Sequence, residues 1–290
     1  MRRLRSILPF SVLAVALLAA GFKTVNYLDG AAVMGKVHET HGTTAEVDVV
    51  KMDIYTKDAP DPQSCTLLSA VQNDGKGGLM YFMRVLAPES QKGLTFLVLE
   101  DANDNVEQYL ITVMGTKKIA PSERSAHFMG SDFTYEDLRR EKPGEWTYDR
   151  LDDEKIRGTD CYAIMATPAN KDREQITGYT YRFLDVDKTT YDIRHIDFLD
   201  SKQKPLKSFD AFDYQATNTS TQRPRSGIMV NLVSGTKTVM TLVGSRLDKP
   251  LDPKFFTLET LKSWGLEQDQ AFADLLPKAA APAATPAKTP

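Results

Sequence analysis

The sequence predicts a mainly β protein with few helices, built on one strongly curved antiparallel sheet. Eleven short segments are rich in β-branched and aromatic residues, turn signals separate them, and no helical segments alternate with them as parallel βαβ units would require. Several segments are apolar on both faces or change hydrophobic phase part-way, and both features go with a sheet that bends or encloses something.

The chain opens with a basic stretch, Met1 to Arg5, followed by the apolar run Ile7 to Ala20, which is shorter than the roughly 20 residues of a membrane span. Residues 1–21 therefore read as an export signal, cut somewhere between Ala20 and Ala32 or retained as an anchor. A cut after Ala20 removes Arg2, Arg3 and Arg5 and takes the formal charge from -3 to -6, which argues against a nucleic-acid partner. No cysteine lies near the junction to carry a lipid.

Residues 29–276 follow as one domain, in which 41% hydrophobic composition supports a core. Asp29 caps a helix from Ala31 to about Glu39, with Val33, Met34 and Val37 on one face and Gly42 beyond its end. The expected strands are Val47–Tyr55, Thr66–Val71, Leu79–Leu86, Leu94–Glu100, Glu107–Met114, Cys161–Thr167, Gly178–Asp185, Tyr191–Leu199, Leu206–Tyr214, Gly227–Val233 and Lys237–Leu247. Leu79–Leu86 is apolar on both faces and so needs cover on both sides, or one face lines a cavity. Tyr179, Tyr181 and Phe183 share a side by period-2 spacing, opposite Thr180 and Arg182. The phase changes at Val49/Val50 and between Ile193 and Ile196 are expected to be bulges. Near the end, Thr257 caps a helix carrying Leu258, Leu261 and Trp264, Gly265 stops it, and a last helix covers Leu266 to Leu276. Residues 277–290 form an Ala/Pro-rich tail with nothing to bury, hence disordered.

Between the strands lies HFMGSDFTYEDL, His127 to Leu138. Thr134 and Asp137 have capping-box spacing, and Pro143-Gly144 would end a helix beginning there. His127, Ser131 and Asp132 are the residue types of a hydrolytic triad, but five residues of one turn do not orient nucleophile, base and acid. His38-Glu39-Thr40-His41 is one residue short of the spacing that puts two histidines on one helical face, so no metal is expected, and no cofactor either. Cys65 and Cys161 both begin strands; in an oxidising compartment they pair or stay as two buried thiols, and both alternatives stand.

The stretch His127–Leu138, preceded by Glu123-Arg124-Ser125, resembles the signature of the LolA-like outer-membrane lipoprotein-sorting proteins. So do Ala87-Pro88 followed by Lys92 to Leu97, the segment Gly158 to Pro168, and Phe255 to Leu261; together the resemblance covers about Asp29 to Gly265. Two departures are visible: Glu107 to Thr112 replaces an aromatic strand that ends in proline, and the basic patch after it is reduced to Lys117, Lys118 and Arg124. The resemblance implies an unclosed, strongly curved antiparallel β-barrel with a helical lid and a hydrophobic cavity. Phe96, Phe128, Met129, Phe133 and Leu138 would then face cavity or lid, while Gly130, Ser131, Asp132, Tyr135, Glu136 and Asp137 form the structural turn.

Such a cavity suits acyl cargo, because one chain of about 14 methylenes exposed to water costs about 11 kcal/mol, at about 0.8 kcal/mol per methylene. The expected function is a non-enzymatic periplasmic carrier of lipid or lipoprotein acyl chains that delivers to an outer-membrane acceptor. A periplasmic accessory of a resistance-nodulation-type export pump is the alternative, and a lipid hydrolase using Ser131 a third.

Overall fold

Strand propensity along the chain is realised as a single antiparallel sheet of 14 strands. The computed structural model describes residues 28–41, 45–103, 105–142, 144–216 and 222–275; the expected signal, Gly42, Pro143 and the Ala/Pro tail lie outside them. The strands are β1 Ala45–Tyr55, β2 Gln63–Asn73, β3 Leu79–Ala87, β4 Thr95–Glu100, β5 Val106–Thr112, β6 Gly115–Ile119, β7 Trp146–Arg150, β8 Glu154–Ile156, β9 Thr159–Pro168, β10 Tyr181–Asp187, β11 Ile193–Leu199, β12 Pro205–Ala216, β13 Gln222–Asn231 and β14 Lys237–Leu247. The helices are α1 Gly30–His41, α2 Lys171–Thr177, α3 Leu258–Lys262 and α4 Leu266–Ala271.

The order is β6-β5-β4-β3-β2-β1-β14-β13-β12-β11-β10-β9-β7, with β8 on β9, so two meanders are joined where the first and last strands pair. The sheet does not close, because β6 and β7 end it as separate edges. Neither edge strand was expected from the sequence, nor was β8. All three are short and polar, as edges facing water tend to be.

Alternation along the central strands assigns two faces. Tyr81, Met83 and Val85 of β3 pack in one apolar cluster with Met52, Leu67, Phe96 and Val98, and Phe82 between them packs in another with Val47, Val49, Leu68 and Leu97. The first cluster, with a third formed by β7 and β9 to β13, belongs to the inner face, and residues 124–139 lie against both. On the outer face Phe255, Phe256, Leu261 and Phe272 cover the strands, so the C-terminal helices pack on the side opposite the central segment. Phe82 touches the rings of Phe256, Trp264 and Phe272, which explains why β3 reads as apolar on both sides. Helix α1 is the one that covers the inner side, through Val33, Met34 and Val37 against Trp146, Ile164 and Leu184. A Cβ on Gly30 would lie 2.5 Å from the carbonyl oxygen of Tyr148, so glycine is what lets α1 start directly on β7.

The phase change at Val49/Val50 has a different origin from the bulge expected in β1. Strand β1 pairs with β2 without interruption, and its register shift against β14 leaves the extra residue, Val243, in β14. Val47 and Val49 meet the outer cover whereas Met52 and Ile54 meet the inner one, so strict alternation reads as a slip when the covering layer changes sides. In β11 the slip is a bulge: Asp185 pairs with His195 and Val186 with Ile193, leaving Arg194 over. Tyr179 precedes β10 and is buried in the inner cluster, so it does not share the outer side with Tyr181 and Phe183, and Arg182 turns inward instead.

The predicted mid-chain helix after Thr134 is absent; residues 134–138 form a turn. The last helix ends at Ala271, short of Leu276. Helix α2, which was not anticipated, starts at an Asn170 cap whose side chain accepts from the Arg173 N–H at 2.9 Å.

Candidate functional site

The central segment is an irregular insert laid along the inner face. Its tip is a tight hairpin: Phe128 N–H donates to Phe133 O at 2.8 Å, Ser131 N–H donates to Phe128 O at 2.9 Å, and His127 bridges Thr134. Met129 and Gly130 at the tip have φ of 50° and 73°, a left-handed pair that requires glycine or a tolerant residue. This turn sends Phe128 to one half of the inner face and Phe133 to the other. Phe128 is fully buried, 5.9 Å from the ring of Phe96 and 5.9 Å from that of Tyr135; Phe133 lies 6.2 Å from Phe209. Leu138 contacts both halves, and Met129 joins the Phe96 half.

Polar groups pin the segment at both ends of this turn. Asp132 accepts from Thr236 Oγ1 at 2.5 Å and Thr238 Oγ1 at 2.7 Å, and its N–H donates to Thr238 at 2.9 Å. The anticipated reciprocal bonds form between Thr134 and Asp137, at 2.7 and 3.2 Å, without a helix following. The reason is that the next side chains are drawn to tertiary partners. Asp137 takes the Lys207 ammonium at 2.5 Å and the Tyr179 hydroxyl at 2.7 Å, and Lys207 also donates to Asp132 O at 3.0 Å. Burial would raise the Asp137 carboxyl, but Lys207 and these donors hold it below the usual carboxylate value. Glu136 meets Arg139 at 2.8 Å and also Arg173; Arg139 reaches Glu100 at 2.8 Å and Glu145 as well. Arg124, counted in the sequence as part of a basic patch, is buried and donates to Val106 O at 2.7 Å.

One cavity adjoins this arrangement and a second lies apart from it. One of about 170 Å³ lies between the segment and β10 to β13, walled by Phe133, Trp146, Phe198 and Met229 on its apolar side and by Glu136, Arg173 and Arg182 on its polar side. The other, about 260 Å³, opens between β12 and β14 beside Arg223 and Leu242. Both are below the roughly 300 Å³ at which small-molecule pockets begin. Side chains of the segment pack into both inner clusters, and Phe96 is packed among Phe128, Tyr135 and Tyr81.

His127, Ser131 and Asp132 do not assemble as a triad. The His127 ring meets the Ser131 carbonyl at 2.7 Å, the Ser131 hydroxyl turns to Phe133 O at 3.4 Å, and the Asp132 carboxylate is taken by Thr236 and Thr238. Cys65 and Cys161 are both buried free thiols, so the bridge alternative is corrected. They sit on β2 and β9, separated along the sheet by β1 and β14 to β10, and burial pushes each thiol up to about 11. Of the partners that position the segment, Thr236, Thr238 and Arg173 had no signal in the local sequence. Lys207 could have been suspected as a lysine among the apolar residues of β12.

The unclosed antiparallel sheet with its apolar inner face is a LolA-like open β-barrel fold. A family model described as "Uncharacterized protein" matches residues 78–263, and the chain belongs to that family. Among solved structures the chain is similar to a domain described in terms of outer membrane lipoprotein sorting from Vibrio parahaemolyticus, with TM-score 0.74 and 23% identity over 80% of this chain and 98% of that one. It is also similar to a DUF1329 family protein from Desulfovibrio piger, at TM-score 0.73 and 18% identity over 80% and 97% of the two chains. A LolA superfamily protein from Nitrosomonas europaea aligns at TM-score 0.61 and 17% identity over 80% and 99%. No curated protein matches the sequence.

Proposed function

We propose that the protein is a periplasmic carrier that shelters acyl chains of lipids or lipoproteins on the inner face of its half-barrel. The supporting observation is that this apolar face is covered by a segment with no strand or helix of its own. Phe128, Met129, Phe133 and Leu138 stand where an acyl chain would lie, while the backbone around them is anchored separately by the polar contacts of Asp132, Glu136 and Asp137. Displacing these side chains by an acyl chain exchanges one set of apolar contacts for another, so the exchange itself is inexpensive. The cavity of about 170 Å³ beside Phe133 is the natural starting point for such a chain. The kinship of fold with a lipoprotein-sorting domain agrees with this reading, and the apolar run Ile7 to Ala20 supports export.

Mass spectrometry of lipids that co-purify, with displacement of an apolar fluorescent probe by fatty acids, tests the proposal. Wild-type protein is expected to take up the probe and release it to the competitor. A folded protein that binds neither probe nor lipid overturns the carrier reading in favour of a pump accessory. N-terminal sequencing after fractionation tests the compartment, an intact Met1 in the inner membrane giving an anchored form.

A further inference from the structure

We propose that two hairpin tips on one rim of the sheet dip into a lipid bilayer and dock the protein there. The exposed large apolar side chains among the described residues include Val113 at 94%, Met114 at 93%, Val233 at 72% and Leu232 at 51% exposure. These four occupy just two places, the tips of β5–β6 and β13–β14. Pairing from β5 through β4, β3, β2, β1 and β14 to β13 is antiparallel at each of six steps. An even number of reversals leaves β5 and β13 running the same way, so both tips lie on the same rim.

The tips also share a pattern. One reads Val113-Met114-Gly115-Thr116-Lys117 and the other Leu232-Val233-Ser234-Gly235-Thr236-Lys237, each an apolar pair followed, directly or after Ser234, by glycine, threonine and lysine. Turn geometry does not call for the aliphatic pairs, since turns favour Gly, Asn, Asp and Ser at such positions. Both tips are ordered by their own bonds: Met114 N–H donates to Thr112 Oγ1 at 3.2 Å, and the N–H groups of Val233 and Ser234 donate to Asn231 Oδ1 at 3.0 and 2.9 Å. The aliphatic side chains are thus held out on rigid turns, so little order is lost when they enter another phase.

A bilayer fits this surface better than a protein does. Six strand spacings of about 4.8 Å separate the tips by roughly 29 Å along the sheet. Each aliphatic pair offers far less than the roughly 800 Å² a side of a stable protein interface. A fluid bilayer receives two separate points at once. The lysines after the tips are already engaged, Lys117 with Glu123 at 2.5 Å and Lys237 over the Tyr55 ring at 4.6 Å, so the apolar pairs are what enters the bilayer. Rim loops 55–63, 88–94 and 200–204 carry four lysines against four acidic residues, so apolar insertion rather than net charge drives the contact and salt changes it little. The proposal rests on the carrier reading for its purpose, because a carrier of acyl chains must meet a bilayer to load or unload.

The test uses the full chain and vesicles of phosphatidylcholine and phosphatidylglycerol at 3:1, roughly the anionic content that attracts basic surfaces. V113S/M114S and L232S/V233S are each expected to weaken vesicle partitioning about tenfold or more at low and at high salt, with unchanged thermal unfolding, while V243S, an exposed apolar site away from the tips, changes nothing. Because Ile7 to Ala20 can itself bind a bilayer, local insertion is read separately: Val113→Trp and Val233→Trp are quenched by lipids brominated in their acyl chains, and Val243→Trp is not. Tip variants that partition like wild type, or tip tryptophans that escape quenching, overturn the docking proposal. Failure of the carrier reading looks different, as vesicle binding that depends on the tips without uptake of probe or lipid in solution.

Discussion

Replacing Lys207 with methionine keeps most of the side-chain stem and removes the charge, which isolates the ion pair that holds the central segment to β12. Lys207 is 2% exposed, its ammonium bonds Asp137 at 2.5 Å and Asp132 O at 3.0 Å, and the rings of Phe198 and Tyr179 lie 5.2 and 5.3 Å away. Without it, Asp137 keeps the Thr134 N–H and the Tyr179 hydroxyl but has lost its counter-charge in a buried site. An uncompensated buried charge of this kind costs about 3–5 kcal/mol. For a domain of this size that lowers Tm by roughly 6–20 °C. Thermal unfolding by circular dichroism and urea titration at pH 7 measure the loss, and K207M/D137L, which removes both charges, should recover much of it. The pH dependence carries the same signature. The Asp137 pKa is depressed in the folded protein, so its contribution is present above the unfolded value of about 3.9 and is lost as pH falls through the lower folded value. K207M should therefore lose less stability than wild type on acidification. A K207M cost below about 1 kcal/mol, the range of solvent-exposed pairs, would refute the buried pair and with it the docked position of the segment.

Other consequences concern single residues. His195 lies 3.0 Å from Asp197 and 2.7 Å from Asp210; burial lowers its pKa, but the two carboxylates outweigh this and raise it to about 9. Its stabilisation is complete below the unfolded value of about 6.5 and is lost as pH rises through 9, so H195Q should flatten the fall in urea midpoint from pH 7 to 10; parallel curves for the two proteins would contradict the pairing. Gly130→Ala places a Cβ at φ 73° and should cost about 1–2 kcal/mol, whereas Gly35→Ala on the exposed side of α1 should stabilise by about 0.5–1 kcal/mol; equal effects in denaturant titrations would count against the left-handed tip. Alkylation of denatured, unreduced protein should label both Cys65 and Cys161, with little labelling of the native state, whose buried thiols are pushed up to about 11; labelling of neither in the denatured chain would restore the disulfide.

Period-2 alternation and turn chemistry determined by themselves the long strands, their antiparallel order of succession, the capped helices α1 and α3, and the singularity of the stretch His127–Leu138. These are properties of neighbours in sequence, so the sequence carries them. Tertiary structure alone decided the rest. The edges β6, β7 and β8 depend on which strand is left unpaired, and the apparent slip in β1 depends on which layer covers each half of it. The helix expected at Thr134 had its local bonds and still did not form, because Asp137 and Glu136 are committed to Lys207, Arg139 and Arg173. The same long-range partners fill the inner face with Phe128 and Phe133 and set Cys65 and Cys161 on separated strands. Each of these outcomes is a contest between a local preference of about 1 kcal/mol and several buried contacts made by residues far along the chain, and the buried contacts are the stronger.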